Sequence, residues 1–145
     1  MPTIERPSER GAVMNVYLTR IEEVNGITMV TAENDLGNVR GVWHYDKAPV
    51  KGGKYMVEFN FNNNEPIDGS TVEVLKNGCE NISTDGKVNV FTAETEDIDE
   101  IYYLRLSADG LSMLDIKDPP AINIGDFLRF MVECVKTGIY PYYEI

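Results

Sequence analysis

Histidine is almost absent from this sequence, because His44 is the only one among 145 residues. A histidine-rich metal site cannot be built from one imidazole, and a nucleophile–histidine–acid triad would have to use this residue. His44 follows Trp43 in an apolar stretch, where we expect a surface or half-buried histidine. We assign no catalytic residue and predict that the chain is not an enzyme.

Other signatures of a reactive site are also missing. Asp97-Ile98-Asp99-Glu100 lacks the D-x-D-x-D-G order of a calcium loop. Lys51-Gly52-Gly53-Lys54 lacks the spacing of a phosphate-binding loop, and a strand pattern follows it, so a turn explains it. Paired carboxylates occur in a solvated stretch, where nothing divides acid and base roles between them. We predict neither a metal nor a cofactor.

Cysteines and long apolar runs are scarce. Cys79 and Cys134 are far apart and in no C-x-x-C spacing, and a chain of this length builds its own core, so two reduced thiols are expected. No apolar run approaches the length of a membrane-spanning helix, and the N terminus lacks the features of a signal peptide. These absences predict a soluble, cytoplasmic protein without a membrane partner.

Basic side chains are few. Lysine and arginine number 13 against 24 acids, which gives a net charge of −11. Because phosphate backbones are bound by basic side chains, nucleic acid is a poor partner for this chain. The excess is uneven: residues 14–76 have nine acids and six bases, while residues 88–145 have eleven acids and four bases.

What the sequence does contain is apolar alternation broken by tight turns, which predicts a mostly β protein. Every second residue from Tyr55 to Phe61 is apolar, which predicts a half-buried strand with one aromatic face. Asn25-Gly26 is a strong hairpin signal. The stretch Phe127–Val135 has apolar residues at helical spacing as well, and its alignment with Tyr55–Phe61 favours a strand.

The same passage occurs twice, at a separation of 74 residues. Residues 14–35 align with residues 88–109, with identities that include Asn15/Asn89 and Val16/Val90. After a two-residue slip, Gly53 and the strand behind it fall on Gly125. A period of this length predicts two similar structural units.

We therefore predict an internally duplicated, mostly β fold of two small five-stranded OB-like barrels or meanders packed together. Residues 1–13 form a loose lead-in, 14–76 the first repeat, 77–87 a linker and 88–145 the second repeat. Val72–Leu75 is the fifth strand of the first repeat, Asp109-Gly110 is a turn in the second, and Ile139–Ile145 finishes the second. One shared sandwich remains the alternative arrangement.

An acidic run stands out in the second repeat. Five carboxylates lie within seven residues, at Glu94, Glu96, Asp97, Asp99 and Glu100. Such a run is typical of a solvated turn that aids solubility. It also suits a docking surface for a basic partner, and both interpretations remain open.

Tyrosine is abundant, with eight copies, and neighbouring tyrosines in a strand face opposite ways. An aromatic belt is explained by packing, while exposed Tyr and Trp serve as rigid contact anchors. The Glu94–Tyr103 hairpin is therefore the best candidate partner surface, together with further aromatic residues. The candidate set is Glu94, Glu96, Asp97, Asp99, Glu100, Tyr102, Tyr103, Trp43, Tyr45 and Tyr142.

Four phrases, VYLTRIEEVNGI, GVWHY, GKYMVEFNF and the closing YPYYEI, resemble those of small acidic β-rich bacterial immunity proteins of polymorphic or contact-dependent toxin systems. The resemblance touches most of residues 14–61 and 88–145 and is one of pattern, without a diagnostic motif. It implies a protein that binds one cognate toxin domain, often a basic nuclease, and covers its active or entry site. An acidic surface suits that task, because complementary charge speeds encounter and disfavours other partners.

The sequence is compatible with three candidate functions. The first is immunity-type inhibition of a basic toxin domain. The second is an acidic protein-interaction module of phage or conjugative origin. The third is an OB-like nucleic-acid binder, which would need a basic groove. A neighbouring gene that encodes a large secreted protein with a variable C-terminal domain would favour the first.

Overall fold

The structure is a computed structural model that describes residues 14–107 and 110–144. Strands make up most of the described residues, which contain short 3₁₀ helices but no α-helix. The prediction of a mostly β protein is confirmed. The predicted lead-in, residues 1–13, lies outside the described residues, as does Asp109 of the predicted Asp109-Gly110 turn.

Thirteen strands follow one another along the described residues. They are β1 (Met14–Val24), β2 (Ile27–Asn34), β3 (Gly37–Trp43), β4 (Lys54–Phe61), β5 (Ile67–Asp68), β6 (Glu73–Leu75), β7 (Asn81–Thr84), β8 (Val88–Ile98), β9 (Tyr102–Ser107), β10 (Gly110–Leu114), β11 (Ile116–Lys117), β12 (Phe127–Glu133) and β13 (Thr137–Glu144). Short 3₁₀ helices lie at Asn62–Asn64, Gly69–Thr71 and Cys134–Lys136. The predicted strand at Phe127–Val135 is thus confirmed as β12, which ends two residues earlier.

Five of these strands close into a barrel. β1, β2, β3, β13 and β4 pair in that order, and β4 returns to β1. The β3–β13 pair is parallel and the other four pairs are antiparallel. Because the circuit is closed, these strands leave no long free edge.

The β1–β2 hairpin turns at Asn25-Gly26, as predicted. Both residues have a positive φ, 52° and 80°. A two-residue hairpin turn of type I′ requires a positive φ at both of these positions. Asn tolerates that conformation better than most residues, and Gly adopts it freely. Val24 and Ile27 pair across the turn.

Alternation decides which side chains form the core. The four apolar residues predicted between Tyr55 and Phe61 are each at most 6% exposed. Phe61 lies 4.8 Å from the ring of Phe91 on β8 and 5.1 Å from that of Phe130 on β12. Side chains from both predicted repeats therefore belong to one hydrophobic cluster.

The remaining long strands form a second sheet, in the order β10–β9–β8–β12–β6, with antiparallel pairs throughout. Within the described residues β10 pairs only with β9 and β6 only with β12, so this sheet is open. β7 pairs with β8 and also meets β3 through Gly37 and Ile82. The barrel and the open sheet are thereby one continuous sheet, and β5 and β11 form a separate parallel pair.

Each of the two predicted fifth strands pairs with strands from the other half of the chain. The Val72–Leu75 stretch, observed as β6, lies beside β12 and not in the barrel. The Ile139–Ile145 stretch lies largely in β13, which pairs with β3 and β4. Apolar alternation predicts that a segment is a strand and which face it buries, but it does not specify the neighbouring strand.

The residue alignment that suggested a duplication is not reproduced at the level of side chains. Asn15 is exposed, whereas Asn89, its counterpart at the separation of 74 residues, is fully buried. Before β12 the turn glycine with positive φ is Gly125, but before β4 it is Gly52 and not Gly53. A difference of one residue in a strand moves every side chain to the other face.

Buried Asn89 ties the open sheet to the barrel. Its Oδ1 accepts a hydrogen bond from the backbone N–H of Arg40 at 3.1 Å, and its Nδ2 donates to the Arg40 carbonyl at 2.7 Å. The same Nδ2 donates to Thr137 Oγ1 at 2.9 Å. The side-chain amide thus pairs with β3 as the backbone of an adjacent strand would, and its own polar atoms are satisfied.

Candidate functional site

The predicted acidic hairpin is formed by the end of β8 and the start of β9. The turn between them is closed by a hydrogen bond of 3.0 Å from the Asp99 N–H to the Ile101 carbonyl. A register shift between Thr95 and Asp97 interrupts the strict alternation of β8, as β-bulges do. The carboxylates of the run therefore have different surroundings.

Glu96 is engaged inside the hairpin. Arg105 on β9 donates from Nε to its Oε2 at 3.0 Å and from Nη2 to its Oε1. This pairing lowers the pKa of Glu96 and raises that of Arg105. Glu94 is the cross-strand neighbour of Arg105 and adds to the attraction. The two glutamates therefore help to hold the two strands together.

The other three carboxylates are presented to solvent. Asp97, Asp99 and Glu100 are exposed, and among the described residues none of them forms an ion pair. Within residues 14–107 and 110–144, the Asp97 carboxylate accepts a hydrogen bond only from the neighbouring Ile98 N–H, at 2.9 Å. We call these three residues the acidic tip.

The two tyrosines after the turn face opposite sides. Tyr102 packs against the hydrophobic core, on the face that also buries Leu104. Tyr103 is half-buried, and its cross-strand neighbours are Asp97 on β8 and Met113 on β10. Tyr103 is therefore the member of the pair that lies beside the acidic tip.

A turn at Asn123–Asp126 braces the base of the hairpin. Two backbone hydrogen bonds of 2.8 Å join this turn to Thr95. The buried Asp126 carboxylate accepts the Asn123 N–H at 2.9 Å and the Lys76 ammonium at 3.0 and 3.1 Å. The hydrogen bond from the Asn123 backbone, followed by that from Lys76, lowers the pKa of Asp126. The hairpin thus projects from a fixed base.

Trp43 and Tyr45 lie apart from the hairpin. Trp43 is 8% exposed, its Nε1 donates to the Lys47 carbonyl at 2.8 Å, and its ring meets Tyr55 edge-on at 5.0 Å. Tyr45 lies 5.9 Å from the Trp43 ring and packs against the core. β3 thus places the Trp43 side chain in the hydrophobic core, and the partner contact predicted for Trp43 stays a prediction.

Tyr142 belongs to the barrel surface, where its hydroxyl donates to Glu58 Oε2 at 3.2 Å. Nearby on β13, Tyr140 stacks on exposed His44, with ring centroids 4.3 Å apart. Partial burial lowers the pKa of His44. The side chain of Tyr143 lies outside the described residues. The candidate residues thus divide between the hairpin, the core and the barrel surface.

A pocket beside the acidic tip was not foreseen from the sequence. It has a volume of about 230 Å³ and is lined by Phe61, Asn64, Glu65, Ile101, Met113 and Asp115. Ile101 directly follows the acidic tip, whereas the other residues come from two distant segments. No local pattern marks such a site, because the fold alone brings its walls together.

No family model, curated protein or solved structure matches the chain. Across residues 14–107 and 110–144, no three His, Cys, Asp or Glu side chains are grouped to hold a metal ion. No helix in that part of the chain is long and apolar enough to cross a membrane. Cys79 is exposed, Cys134 is buried, and both are free thiols.

Proposed function

We propose that the protein is a non-enzymatic, cytoplasmic binding protein of the immunity type, which neutralises a basic toxin domain by covering its active or entry site. The acidic tip carries this proposal. Asp97, Asp99 and Glu100 are exposed, have no ion-pair partner among the described residues, and project from a braced hairpin. Such a group of fixed negative charges speeds encounter with a basic surface and disfavours an acidic one.

Tyr103 supplies the second element of the proposed contact. Tyr103 is the cross-strand neighbour of Asp97. Because its side chain is already half-buried, it loses little conformational freedom when a partner covers it. Charge and ring then have separate tasks: the acidic tip steers association, and the tyrosine slows dissociation once it is desolvated.

We also propose that the barrel is OB-like and that the two sets of strands reflect a duplication. The closed five-strand circuit with a parallel β3–β13 pair supports the first part. For the second part, the barrel order β13–β4–β1–β2–β3 recurs as β6–β12–β8–β9–β10 in the open sheet. Residues 14–76 and 88–145 would then be the repeats, with 77–87 between them and their fifth strands exchanged.

Two other functions remain as alternatives. An acidic interaction module of phage or conjugative origin would use the same acidic tip on a partner that is not a toxin. An OB-like nucleic-acid binder is less well supported, because the net charge is −11. Moreover, Arg40, a basic residue in the middle of β3, already binds Glu22 at 3.2 Å and the Gly86 carbonyl at 2.7 Å, so its guanidinium is not free to bind a phosphate.

Binding kinetics against the basic C-terminal domain of a secreted protein encoded by the adjacent gene test the proposal. Replacing Asp97, Asp99 and Glu100 by Asn, Asn and Gln should lower the association rate roughly tenfold at low salt and flatten its salt dependence. A matched control changes three exposed acids of the barrel, Glu33→Gln, Asp35→Asn and Asp46→Asn, with the same change in net charge. Tyr103→Ala should mainly raise the dissociation rate, by about tenfold.

The outcomes separate the alternatives. Equal association rates for the two triple variants would mean that only net charge matters and that the acidic tip is a solvated turn. Tight binding that leaves the activity of the toxin domain intact would favour the interaction module. Binding of single-stranded nucleic acid that weakens with salt, without any basic protein partner, would favour the OB-like binder.

A further inference from the structure

The pocket next to the acidic tip is built at the junction of three parts of the fold. Phe61 ends β4, Asn64 and Glu65 follow in the adjoining 3₁₀ helix and its exit, and Met113 and Asp115 lie at the end of β10. Ligand sites occur preferentially at such junctions between structural units. Its cavity of about 230 Å³ is partly open to solvent, and its lining includes the exposed residues Glu65, Met113 and Asp115.

Two acidic residues from different segments line the pocket. The Ile67 N–H donates to the Asp115 carbonyl at 3.0 Å, and Ile67 pairs with Ile116 in the small parallel sheet. Glu65 and Asp115, fifty residues apart in the sequence, therefore line the same pocket. Among the described residues neither carboxylate has a hydrogen bond or an ion pair.

The rim that carries Glu65 is held in place by its own hydrogen bonds. Asn62 Nδ2 donates to the carbonyls of Glu65 and Pro66, each at 3.2 Å. Asn60 Nδ2 donates to the Oδ1 of Asn64. The pocket wall is thus shaped before any partner arrives, which reduces the ordering that binding requires.

We propose that this pocket receives the side chain of an arginine or lysine from the basic partner, an inference that rests on the proposed function. The apolar walls of Phe61, Ile101 and Met113 suit the alkyl stem of such a side chain, which packs along apolar surface while its charged end seeks polar groups. Glu65 and Asp115 both line the pocket, and their carboxylates have no partner among the described residues, so they suit a guanidinium or an ammonium. Because Ile101 directly follows Glu100, a side chain steered by the acidic tip arrives beside this pocket.

Small cations test the pocket without any partner. The full chain is labelled at the methionine methyl groups, and the Met113 signal is assigned with Met113→Leu. n-Butylguanidinium, n-butylammonium and neutral 1-pentanol are then titrated at constant ionic strength. Both cations should shift the Met113 signal in a saturable way, and pentanol should do so far more weakly. A larger response to butylguanidinium than to butylammonium identifies arginine as the preferred side chain, and the reverse identifies lysine.

Glu65→Gln and Asp115→Asn keep the shape of the pocket and remove one charge each, and each should weaken the cation response about tenfold. Glu33→Gln, an exposed acid on β2, is the matched control and should leave the response unchanged. The Met131 methyl, exposed on β12, reports non-specific effects. The proposal is overturned if pentanol shifts Met113 as strongly as the cations do, if both pocket variants respond as strongly as the unchanged chain, or if Met113 shows no saturable response.

The cation titration and the steering test can fail separately. Asp97, Asp99 and Glu100 do not line the pocket, so loss of the cation response leaves steering by the acidic tip standing. Conversely, if the cation response depends on Glu65 and Asp115 but no basic protein partner binds, the proposed function fails, and the pocket remains a cation site without that partner.

Discussion

Asn89 is a polar side chain with no exposed surface in the centre of the molecule. Burying an amide is unfavourable unless its donors and acceptors are all matched. Arg40 and Thr137 supply those partners, and the Cys134 thiol lies 3.5 Å from Oδ1. Because the Arg40 backbone has its partner here, Asn89 stands in for a strand that is absent at this point of β3.

Asn89→Ala should therefore lower the free energy of unfolding by about 3 kcal/mol, because the N–H and carbonyl of Arg40 would lose their hydrogen-bond partner inside the protein. Asn15→Ala is the matched control, because Asn15 occupies the aligned position but is exposed. It should change stability by no more than about 0.5 kcal/mol. Urea denaturation of both variants measures the difference, and similar losses would show that Asn89 is not a junction.

At the scale of strands, the sequence predicts local structure well and pairing poorly. Tyr55–Phe61 and Asn25-Gly26 were identified because alternation and turn chemistry are local properties. The positions of β6 and β13 were not, because a short apolar strand fits beside many neighbours. Likewise, the sequence predicts the acidic run because its residues are close together in the chain. It does not predict the pocket, because Glu65 and Asp115 are fifty residues apart in the sequence.

The contact between β3 and β7 depends on a close approach at Gly37. Its φ is +132°, and a Cβ built there would lie 1.8 Å from the Ile82 carbonyl oxygen. The Ile82 N–H donates to the Leu36 carbonyl at 2.9 Å, so β7 cannot retreat without losing this hydrogen bond. Only glycine allows the barrel and the open sheet to meet in this way.

Gly37→Ala should thus destabilise the protein by roughly 3 kcal/mol or more, through backbone strain and displacement of β7. Gly26→Ala is a suitable control, because Gly26 also has a positive φ but a Cβ there would meet nothing within 4 Å. It should lose only about 1 kcal/mol. If thermal denaturation gives equal losses for the two variants, backbone strain alone explains both and the close approach has no separate effect.

The whole molecule is joined by more than its core. The barrel is closed by β13 from the end of the chain, and the open sheet is completed by β6 from the first half. Phe59 and Phe61 of the barrel contact Phe91 of the open sheet. Neither set of strands is therefore complete without a segment from the other half of the sequence.

We accordingly expect the intact chain to unfold in one cooperative transition. The calorimetric enthalpy of unfolding should equal the van't Hoff enthalpy, because loss of either set of strands exposes the shared core and removes a strand from the other. Residues 14–76 and 88–145 produced separately serve as the control, and each should lack the circular dichroism of a folded β protein, since the first lacks β13 and the second lacks β6. Two resolved transitions in the intact chain, or a folded fragment of either length, would show instead that the halves are independent barrels and that the exchanged strands contribute little to their stability.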